Sequence, residues 1–368
     1  MKDLEEARRE INRCDAEIAR LFTARMEAVR DVAAYKASHG LPVLDAAREA
    51  AVVEKNAALV GEELRPYYIS FLRDMMGISR RYQHKLLEGV RVAYSGLPGA
   101  FAEIAVKKIF PTGDPVPYRS FAEAYAAVET GECDVAVLPI ENSYAGEVGG
   151  VLDLMFAGSL FVNGVYNLKV AHCLLGVKGA SVDTVQRVVS HPQALDQCAP
   201  FLKKHGFTAI ECANTARAAK EVADTKDPTL AAIASEETAA LYGLSVLEKN
   251  INEDAENTTR FAVFSRSEAK TAPQKHSAFI LLFTVNHIAG ALAKAINVLG
   301  AYGYNMRVLR SRPLKAHSWQ YYFYIEAEGD DASPDGARML RQLSAHCDLL
   351  RVVGHFEPDA EMPKGENA

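Results

Sequence analysis

The stretch Asn257–Phe264, which reads NTTRFAVF, begins with polar residues and becomes apolar. This pattern is typical of a β-strand that emerges from a loop. It would place hydroxyl groups and a guanidinium group at the edge of a sheet, where α/β proteins bind ligands. Two earlier apolar stretches also run into small polar residues, LPIENS at 138–143 and VVSHPQ at 188–193. Three such strand ends predict one shared cleft, which we interpret as an active site.

The composition is that of an ordinary globular protein. A chain of 368 residues can form two or three domains, and its contents of 49% apolar and 24% charged residues are unexceptional. The net charge of −6 argues against nucleic acid or an anionic membrane as the main partner. The charged N-terminus and the absence of a membrane-length apolar run predict a cytoplasmic protein.

Cysteine and histidine spacing gives no sign of a metal site. The six cysteines include no CxxC pair, and the ten histidines include no HExxH motif. This usage is typical of reduced thiols in a cytoplasm. We therefore expect no disulfide framework and no bound metal.

The N-terminal region predicts three helices. Residues 3–38 contain neither glycine nor proline, their apolar residues recur at helical spacing, and Gly40 ends the pattern. Asp45 is placed to cap a second helix, and Pro66 lies in the first turn of a third. The first helix would be roughly 50 Å long, too long to bury its apolar stripe against the others. We expect an intertwined dimer with a shared core.

Several charged side chains on these helices are placed to form a ligand site. Arg25 and Lys36 share one face of the first helix, as Ser79 and Gln83 do on the third. Arg8 lies about 100° away around the first helix and is better placed to complete the site of another chain. Apolar neighbours surround Arg25, which makes a buried site plausible, although a solvated basic face is the commoner arrangement.

Residues 3–88 resemble the all-helical chorismate mutases, and the match runs through Arg8, Asp15, Arg25, Lys36, Asp45, Arg48, Glu49, Ser79 and Gln83. In that family a dicarboxylate ether rearranges without covalent catalysis, held by arginines through forked hydrogen bonds. The resemblance implies donors to the ether oxygen (Lys36, Gln83), carboxylate binders (Arg8 of the partner chain, Arg25, Arg48), residues near the ring hydroxyl (Asp45, Glu49) and a further substrate contact (Ser79).

From residue 90 onward the pattern is that of a two-lobed α/β domain. The glycine turn at 96–99 lacks the full GxGxxG spacing, so a nucleotide site is not favoured. Alternating strands over 161–177 predict a crossing between the lobes. Ser190 is predicted to cap a helix with Pro192 in its first turn, and that helix N-terminus would be a natural carboxylate site.

Residues 90–266 resemble prephenate dehydratases, through the motifs PIENS at 139–143, SHPQA at 190–194 with Gln197, and TRF at 259–261. The resemblance implies a fold similar to that of periplasmic binding proteins. It also implies loss of carbon dioxide and water from prephenate to give phenylpyruvate, without a cofactor. The implied roles are a donor to the leaving hydroxyl (Thr259), carboxylate neutralisation (Arg260 and the Ser190 helix end), ring orientation (Asn142, Ser143, Gln197) and further motif contacts (Glu141, Phe261). Glu141 is the alternative acid, provided that burial raises its pKa.

The first glycine turn departs from the family pattern. Ala100 and Ala102 stand where hydroxyl residues are frequent, and alanines at this turn also occur in the related arogenate dehydratases of plants. The substrate is therefore either prephenate or its aminated relative, arogenate. Fusion to a mutase favours prephenate.

The C-terminal region has the order βαββαβ of a ferredoxin-like unit. It resembles the ACT domains that bind phenylalanine at a dimer interface, through GAL at 290–292 and SRP at 311–313. The resemblance implies an allosteric phenylalanine site formed by Gly290, Ala291, Leu292, Ser311, Arg312 and Pro313. Arg310 stands where a glutamate is usual, which leaves the affinity for phenylalanine open.

The full prediction is a bifunctional enzyme with feedback inhibition by phenylalanine, assembled as a homodimer or a higher homo-oligomer. The predicted segments are a mutase domain (1–89), a dehydratase domain (90–266), a linker (267–276), an ACT domain (277–357) and a disordered tail (358–368). The alternatives are a mutase fused to an arogenate dehydratase, and a catalytically inactive ligand-binding sensor.

Overall fold

The computed structural model describes residues 3–268, 277–314 and 320–358, together with residues 360 and 362. Most of the predicted tail and most of the predicted linker lie outside these residues. Contacts divide the chain into two units, Met1–Arg91 and Val92–Ala368. Among the described residues, no helix has both the length and the apolar character needed to cross a bilayer.

The first unit consists of three helices, α1 (Leu4–His39), α2 (Ala46–Ala57) and α3 (Arg65–Glu88). The predicted boundaries are confirmed: Gly40 adopts the left-handed conformation that ends α1, and Asp45 accepts a hydrogen bond from the Arg48 amide to cap α2. Pro66 lies in the first turn of α3, where its missing N–H costs nothing. The paired contacts Arg25–Ser79 and Arg30–Tyr82 show that α1 and α3 run in the same direction.

The apolar stripe of α1 stays exposed in the single chain. Ile11, Ile18 and Leu21 are 58%, 51% and 54% exposed. Of the described residues of α1, Ala33 is the one that is buried. A stripe of this length leaves a large apolar surface in water, which is the usual sign of a protein interface.

The first lobe of the second unit is built on a mixed sheet with the strand order β5-β11-β3-β1-β2, and β4 pairs with β3. Its elements are β1 (Arg91–Ser95), α4 (Phe101–Ile109), β2 (Asp114–Tyr118), α5 (Phe121–Glu129), β3 (Val135–Asn142), β4 (Gly146–Glu147), α6 (Gly149–Ala157), β5 (Phe161–Lys169) and β11 (Thr258–Ser265). The apolar residues of β3 and β11 are buried between this sheet and its helices, so the polar ends of both strands project from a rigid core.

The second lobe is a five-stranded sheet with the order β10-β6-β9-β7-β8. Its elements are β6 (Cys173–Gly176), β7 (Arg187–Ser190), α7 (Pro192–Gln197), α8 (Ala199–His205), β8 (Thr208–Glu211), α9 (Thr215–Thr225), β9 (Leu230–Ala234), α10 (Glu236–Tyr242) and β10 (Ser245–Glu248). Ser235 caps α10.

The chain crosses between the lobes twice, at 170–172 and at 249–257. The two crossing segments are joined by backbone hydrogen bonds, from Val170 N to Asn257 O at 2.8 Å and from Ile251 N to His172 O at 2.9 Å. The crossing predicted over 161–177 therefore lies between β5 and β6. A joined pair of crossing segments holds the polar ends of both sheets at a defined separation.

The C-terminal part has the order β12 (Ala278–Thr284), α11 (Ala291–Ala301), β13 (Met306–Pro313), β14 (Tyr321–Glu328), α12 (Pro334–Ser344) and β15 (Leu349–Phe356). Its strands form an antiparallel array in the order β13-β14-β12-β15, the ferredoxin-like arrangement. The sequence predicts the third of these strands over residues 319–326; in the structure it begins at Tyr321, and Trp319 lies outside the described residues.

The sheets of the first lobe and of the C-terminal part are continuous. Strand β15 pairs in parallel with β5 at Gly354 and Val162. A Cβ atom at Gly354 would lie 2.1 Å from the Val162 carbonyl oxygen. Only glycine therefore permits this close approach of the two strands.

Candidate functional site

A polar cluster forms where β3 ends and β11 begins, because Thr259 and Asn142 are cross-strand partners. The Asn142 side-chain amide donates to the Thr259 hydroxyl oxygen at 3.0 Å and to Asn257 Oδ1 at 2.8 Å. Its Oδ1 accepts from the backbone amides of Tyr144 and Ala145 at 3.1 and 2.9 Å. Among the described residues, no acceptor lies within hydrogen-bond distance of the Thr259 hydroxyl proton. That proton can therefore be donated to a ligand.

The second lobe reaches the same cluster through α7. Gln193 Nε2 donates to Asn142 Oδ1 at 3.4 Å, and Asn257 Nδ2 donates to Gln197 Oε1 at 3.1 Å. The three stretches singled out in the sequence thus converge on one polar cluster. Among the described residues, the side chains of Thr259 and Asn142 form hydrogen bonds only with neutral groups.

Ser190 has a different position from the predicted one. The cap of α7 is His191, whose ring nitrogen accepts from the Gln193 amide, so the prediction that Ser190 caps this helix is wrong. Ser190 is the last residue of β7, is fully buried, and donates its hydroxyl to the Ile233 carbonyl at 2.7 Å. It therefore fixes β7 against β9. The helix itself has 6 residues and little dipole to offer a carboxylate.

Ser143 and Phe261 lie beside the cluster. The Ser143 hydroxyl accepts from the Thr258 amide at 2.9 Å, which ties the end of β3 to the start of β11. Phe261 is 2% exposed and packs in the interior, so it supports the strand that carries Thr259.

Arg260 and Glu141 do not share the face of Thr259. They are cross-strand partners one position along the same two strands, and successive strand residues point to opposite faces. Arg260 donates to Glu141 at 2.9 Å and to both oxygens of Glu326 on β14 at 3.0 and 2.8 Å. The assignment of Arg260 to the substrate carboxylate is therefore corrected, since its charge is neutralised by two carboxylates of the protein.

The same ion pairs decide against Glu141 as the acid. Burial alone would raise the pKa of Glu141, but hydrogen bonds from Arg260 and Arg310 outweigh that effect and hold the pKa below its usual value. The raised pKa that this alternative required is absent. Glu141 is a carboxylate at neutral pH and cannot donate a proton there.

In the helical unit, a side-chain cluster joins α1 to α3. Arg25 donates to the Ser79 hydroxyl, and burial lowers the pKa of the Arg25 guanidinium. Gln83, one turn further along α3, is 7% exposed, and its Oε1 is buried without a partner among the described residues. Lys36 donates to the Val43 carbonyl at 2.5 Å, in the connection between α1 and α2. A buried amide oxygen without a partner, on the same helix as the Ser79 that binds a half-buried guanidinium, is the arrangement expected of a polar ligand site.

The remaining predicted mutase residues are placed differently. Glu49 is paired with Arg80 of α3, a residue that the sequence reasoning missed. Asp45 caps α2, and Arg48 is exposed on the first turn of that helix. Arg8 is 62% exposed and pairs with Glu5 of its own helix, roughly 25 Å along α1 from Arg25.

The C-terminal part contains a cavity of about 340 Å³ at the start of α11. Leu292 lines it, next to Gly290 and Ala291. Ser311 and Pro313 are the cross-strand partners of Phe323 and Tyr321, which line the same cavity. Five of the six residues assigned to a phenylalanine site thus lie at this cavity or one strand away from it.

Arg312, the sixth, points to the opposite face of β13 together with Arg310. Arg312 donates to Asp153 at 2.8 Å and pairs with Glu147, and Arg310 pairs with Glu141. The Arg312 guanidinium also lies over Gly149, where a Cβ atom would clash with it. The assignment of Arg312 to the effector is corrected accordingly, because strand alternation turns it towards the first lobe.

Three further residues of these sites were given no role in the sequence analysis, although Asn257 begins the stretch quoted there. Asn257 and His172 lie on the two crossing segments, and Glu326 lies in the interior of an apolar strand. A polar residue within an apolar strand was the available signal for Glu326, since such residues are rarely buried without a partner.

The fold and the clusters define a two-lobed α/β ligand-binding enzyme domain, preceded by a helical unit with its own polar site. Family models match both parts, prephenate dehydratase over residues 92–269 and chorismate mutase type II over residues 7–84. The chain belongs to the bifunctional chorismate mutase/prephenate dehydratase family, which confirms the resemblances of the sequence to chorismate mutases and to prephenate dehydratases.

The relatives support both halves. The bifunctional chorismate mutase/prephenate dehydratase of Escherichia coli is 30% identical over 372 residues, covering 97% of this chain and 96% of its own. Arogenate dehydratase/prephenate dehydratase 2 of Arabidopsis thaliana is 36% identical over 282 residues, 74% of each chain. The structure of prephenate dehydratase from Arthrobacter aurescens in complex with L-Phe is 26% identical, covers 75% of this chain and 92% of that one, and has a TM-score of 0.69.

Proposed function

We propose that the helical unit rearranges chorismate to prephenate and that the two-lobed unit converts prephenate to phenylpyruvate with loss of carbon dioxide and water. The observation that carries the second activity is the orientation of the Thr259 hydroxyl, which accepts from Asn142 and keeps its own proton for a ligand. The electrons released on decarboxylation expel the ring hydroxyl, and Thr259 donates a hydrogen bond to that leaving group. A threonine is too weak an acid for full proton transfer.

Neutral donors hold the substrate in this site. The side-chain amides of Gln193 and Gln197 reach the Asn142–Asn257 cluster from the second lobe. Amide N–H groups can bind a carboxylate without a formal counter-charge when water is excluded. This arrangement leaves Arg260 to hold the strand from its other face.

In the mutase site, Arg25 binds a carboxylate, and Lys36 and Gln83 donate to the ether oxygen as negative charge develops there. Lys36 turns from the Val43 carbonyl to do so. Gln83, whose side chain makes one long hydrogen bond of 3.4 Å to the Ser79 carbonyl, is available to the ligand. Arg48 of the same chain and Arg8 of a second chain complete the binding of the two carboxylates.

An ultraviolet assay of the purified full-length chain tests both activities, by following the loss of chorismate and the formation of phenylpyruvate. Turnover of both compounds is the expected result. Binding of prephenate without turnover would instead identify the two-lobed unit as a sensor.

A homodimer is part of the proposal, because the exposed stripe of α1 needs a second apolar surface. Ile18→Asp should yield monomers by light scattering and abolish mutase activity, while the dehydration of supplied prephenate persists. Arg9→Asp is the matched control, since Arg9 lies about 200° around α1 from Ile11 and so on the opposite side of the helix. A dimeric Ile18→Asp protein would show that another surface holds the copies together.

Phenylalanine is the proposed effector, and the ACT domain is its proposed receptor. The cavity at the start of α11 has aromatic and aliphatic walls, which include Phe323, Tyr321 and Leu292. The Arthrobacter aurescens relative was solved with L-Phe. Ile288, which is 70% exposed at the rim, offers a test: Ile288→Arg should weaken calorimetric binding of phenylalanine and its inhibition of dehydration together.

Arogenate is the second candidate substrate. The Arabidopsis thaliana relative carries both dehydratase names, and Ala100 and Ala102 provide no side-chain hydroxyl at the glycine turn. Offering prephenate and arogenate in competition gives the ratio of their kcat/KM values. A ratio above one for prephenate supports the bifunctional assignment, and a ratio below one supports an arogenate dehydratase.

A further inference from the structure

A chain of buried neutral side chains connects the crossing segments to Thr259. His172 and Asn257, one on each crossing segment, are 3% and 1% exposed. Gln197 lies between them, with its Oε1 2.8 Å from His172 Nε2 and 3.1 Å from Asn257 Nδ2. Buried polar groups of this kind are costly unless each is paired, so their hydrogen-bond directions are well determined.

Backbone groups fix the direction of the whole chain. The amides of Tyr144 and Ala145 can only donate, so the Asn142 atom that they contact is the oxygen. The Asn142 nitrogen therefore points the other way, to Asn257 Oδ1 and to the Thr259 hydroxyl oxygen. Because Asn142 donates to it, the Thr259 oxygen accepts.

The same logic extends to His172. Since Asn257 Oδ1 faces Asn142, Asn257 Nδ2 faces Gln197, and the Gln197 atom that accepts must be its oxygen. That oxygen also meets His172 Nε2, which must then carry the ring proton. His172 Nδ1 is consequently a bare lone pair, and it is buried without a partner among the described residues. Burial lowers the pKa of His172, which favours this neutral ring.

We propose that His172 and Asn257 are positioning residues for dehydration: together with the backbone amides of Tyr144 and Ala145 they hold the Asn142 amide in the orientation from which Thr259 accepts, so that Thr259 keeps its own proton for the substrate. The inference rests on the proposed function, because it takes Thr259 as the donor to the leaving hydroxyl. The two residues act through Asn142 and do not touch the substrate. Because both residues lie on the crossing segments, the orientation of the Asn142 amide is also coupled to the position of one lobe relative to the other.

Paired variants separate positioning from folding. His172→Phe removes the Nε2–H donor while keeping a ring against Phe101, whose ring centroid is 5.5 Å from that of His172. Asn257→Ala removes the next link. We expect each to lower kcat for prephenate about tenfold or more, with KM changed less than twofold. His172→Gln supplies a side-chain N–H donor and should recover most of kcat.

Asn252→Ala is the matched control, because Asn252 accepts from the His172 backbone amide at 3.1 Å and lies outside the amide chain. It should lower the thermal unfolding temperature as much as Asn257→Ala does and leave kcat unchanged. A purely structural role for His172 and Asn257 predicts the same pattern for all the variants, with a lower Tm and an unchanged kcat for the folded protein. That result would overturn the inference.

Thr259→Ala, measured in parallel, separates the two proposals. If Thr259→Ala retains full kcat, the proposed role of Thr259 fails and the inference fails with it. If Thr259→Ala loses kcat while His172→Phe and Asn257→Ala retain it, the inference alone fails. Loss in all three, with recovery in His172→Gln, supports both.

Discussion

Arg260 and Glu326 form a two-pronged ion pair that joins β11, the strand of Thr259, to the C-terminal part of the chain. The two hydrogen bonds measure 3.0 and 2.8 Å, and the Glu326 side chain is 1% exposed. Tyr324 adds a hydrogen bond of 2.6 Å to the same carboxylate. Forked arginine–carboxylate pairs fix geometry as well as charge. The position of β14 is thereby linked directly to β11, at the residue next to Thr259.

Breaking this pair should destabilise the second unit. Glu326→Gln leaves Arg260 with Glu141 as its remaining carboxylate, and we expect a loss of about 3 kcal/mol, the lower end for a broken buried pair. Thermal unfolding of the full chain measures it. Glu328→Gln is the matched control on the same strand, because its ion pair with Arg307 is more exposed and is worth less than about 1 kcal/mol. Equal losses in the two variants would contradict the role assigned to Glu326.

Removal of the Thr259 hydroxyl should affect one activity only. Thr259→Ala should lower kcat for dehydration by about 10²-fold, the usual effect of losing one transition-state donor, and leave the mutase unchanged. Thr259→Ser keeps the hydroxyl and should retain most of the activity. The ultraviolet assay with supplied prephenate provides the comparison, and a Thr259→Ser enzyme as slow as Thr259→Ala would argue against the hydrogen bond as the cause.

Lys36→Ala should have the converse effect. The loss of a cationic donor to the ether oxygen should reduce mutase kcat by at least about 10²-fold, while supplied prephenate is still dehydrated. Lys55→Ala, which removes an exposed lysine from α2, is the control and should be neutral. A simultaneous loss of both activities in Lys36→Ala would mean that the two sites are not separate.

His355 predicts a pH dependence of stability. Its hydrogen bond to Asp331 at 2.6 Å, supported by Glu268 at 2.8 Å, raises the pKa of this histidine. The folded state therefore favours the charged ring. The stabilisation is fully present below the ordinary pKa of about 6.5 and is lost as pH rises through the higher folded value. The difference in Tm between wild type and His355→Gln should shrink between pH 6 and pH 9. A constant difference would show that the ring does not titrate there.

Local patterns predicted the elements well. Gly40, Asp45 and Pro66 marked the helix boundaries of the first unit because capping chemistry depends on neighbours within one turn. The order of the C-terminal elements followed from periodicity and turn residues in the same way. These features involve contacts that are close in the sequence.

The site predictions were wrong where a residue's role depends on the face of the strand to which its side chain points, or on a partner that is distant in the sequence. Thr259 and Arg260 are adjacent in the TRF motif, and the motif alone does not show that a strand turns them to opposite faces. The partner of Arg260 is Glu326, 66 positions away in the sequence. Ser190 does not cap α7 as predicted, because β7 extends one residue beyond its apolar run and includes Ser190. The cap of α7 is His191 instead.

The close approach of Gly354 to Val162 has a consequence for how the chain can be divided. Without β15, strand β5 would become a margin of the sheet, and its backbone near Val162, where it pairs with β15, would be exposed. A fragment that stops after β11 would therefore tend to self-associate through that margin. The C-terminal part therefore protects the edge of the first-lobe sheet, in addition to any role it has in sensing an amino acid.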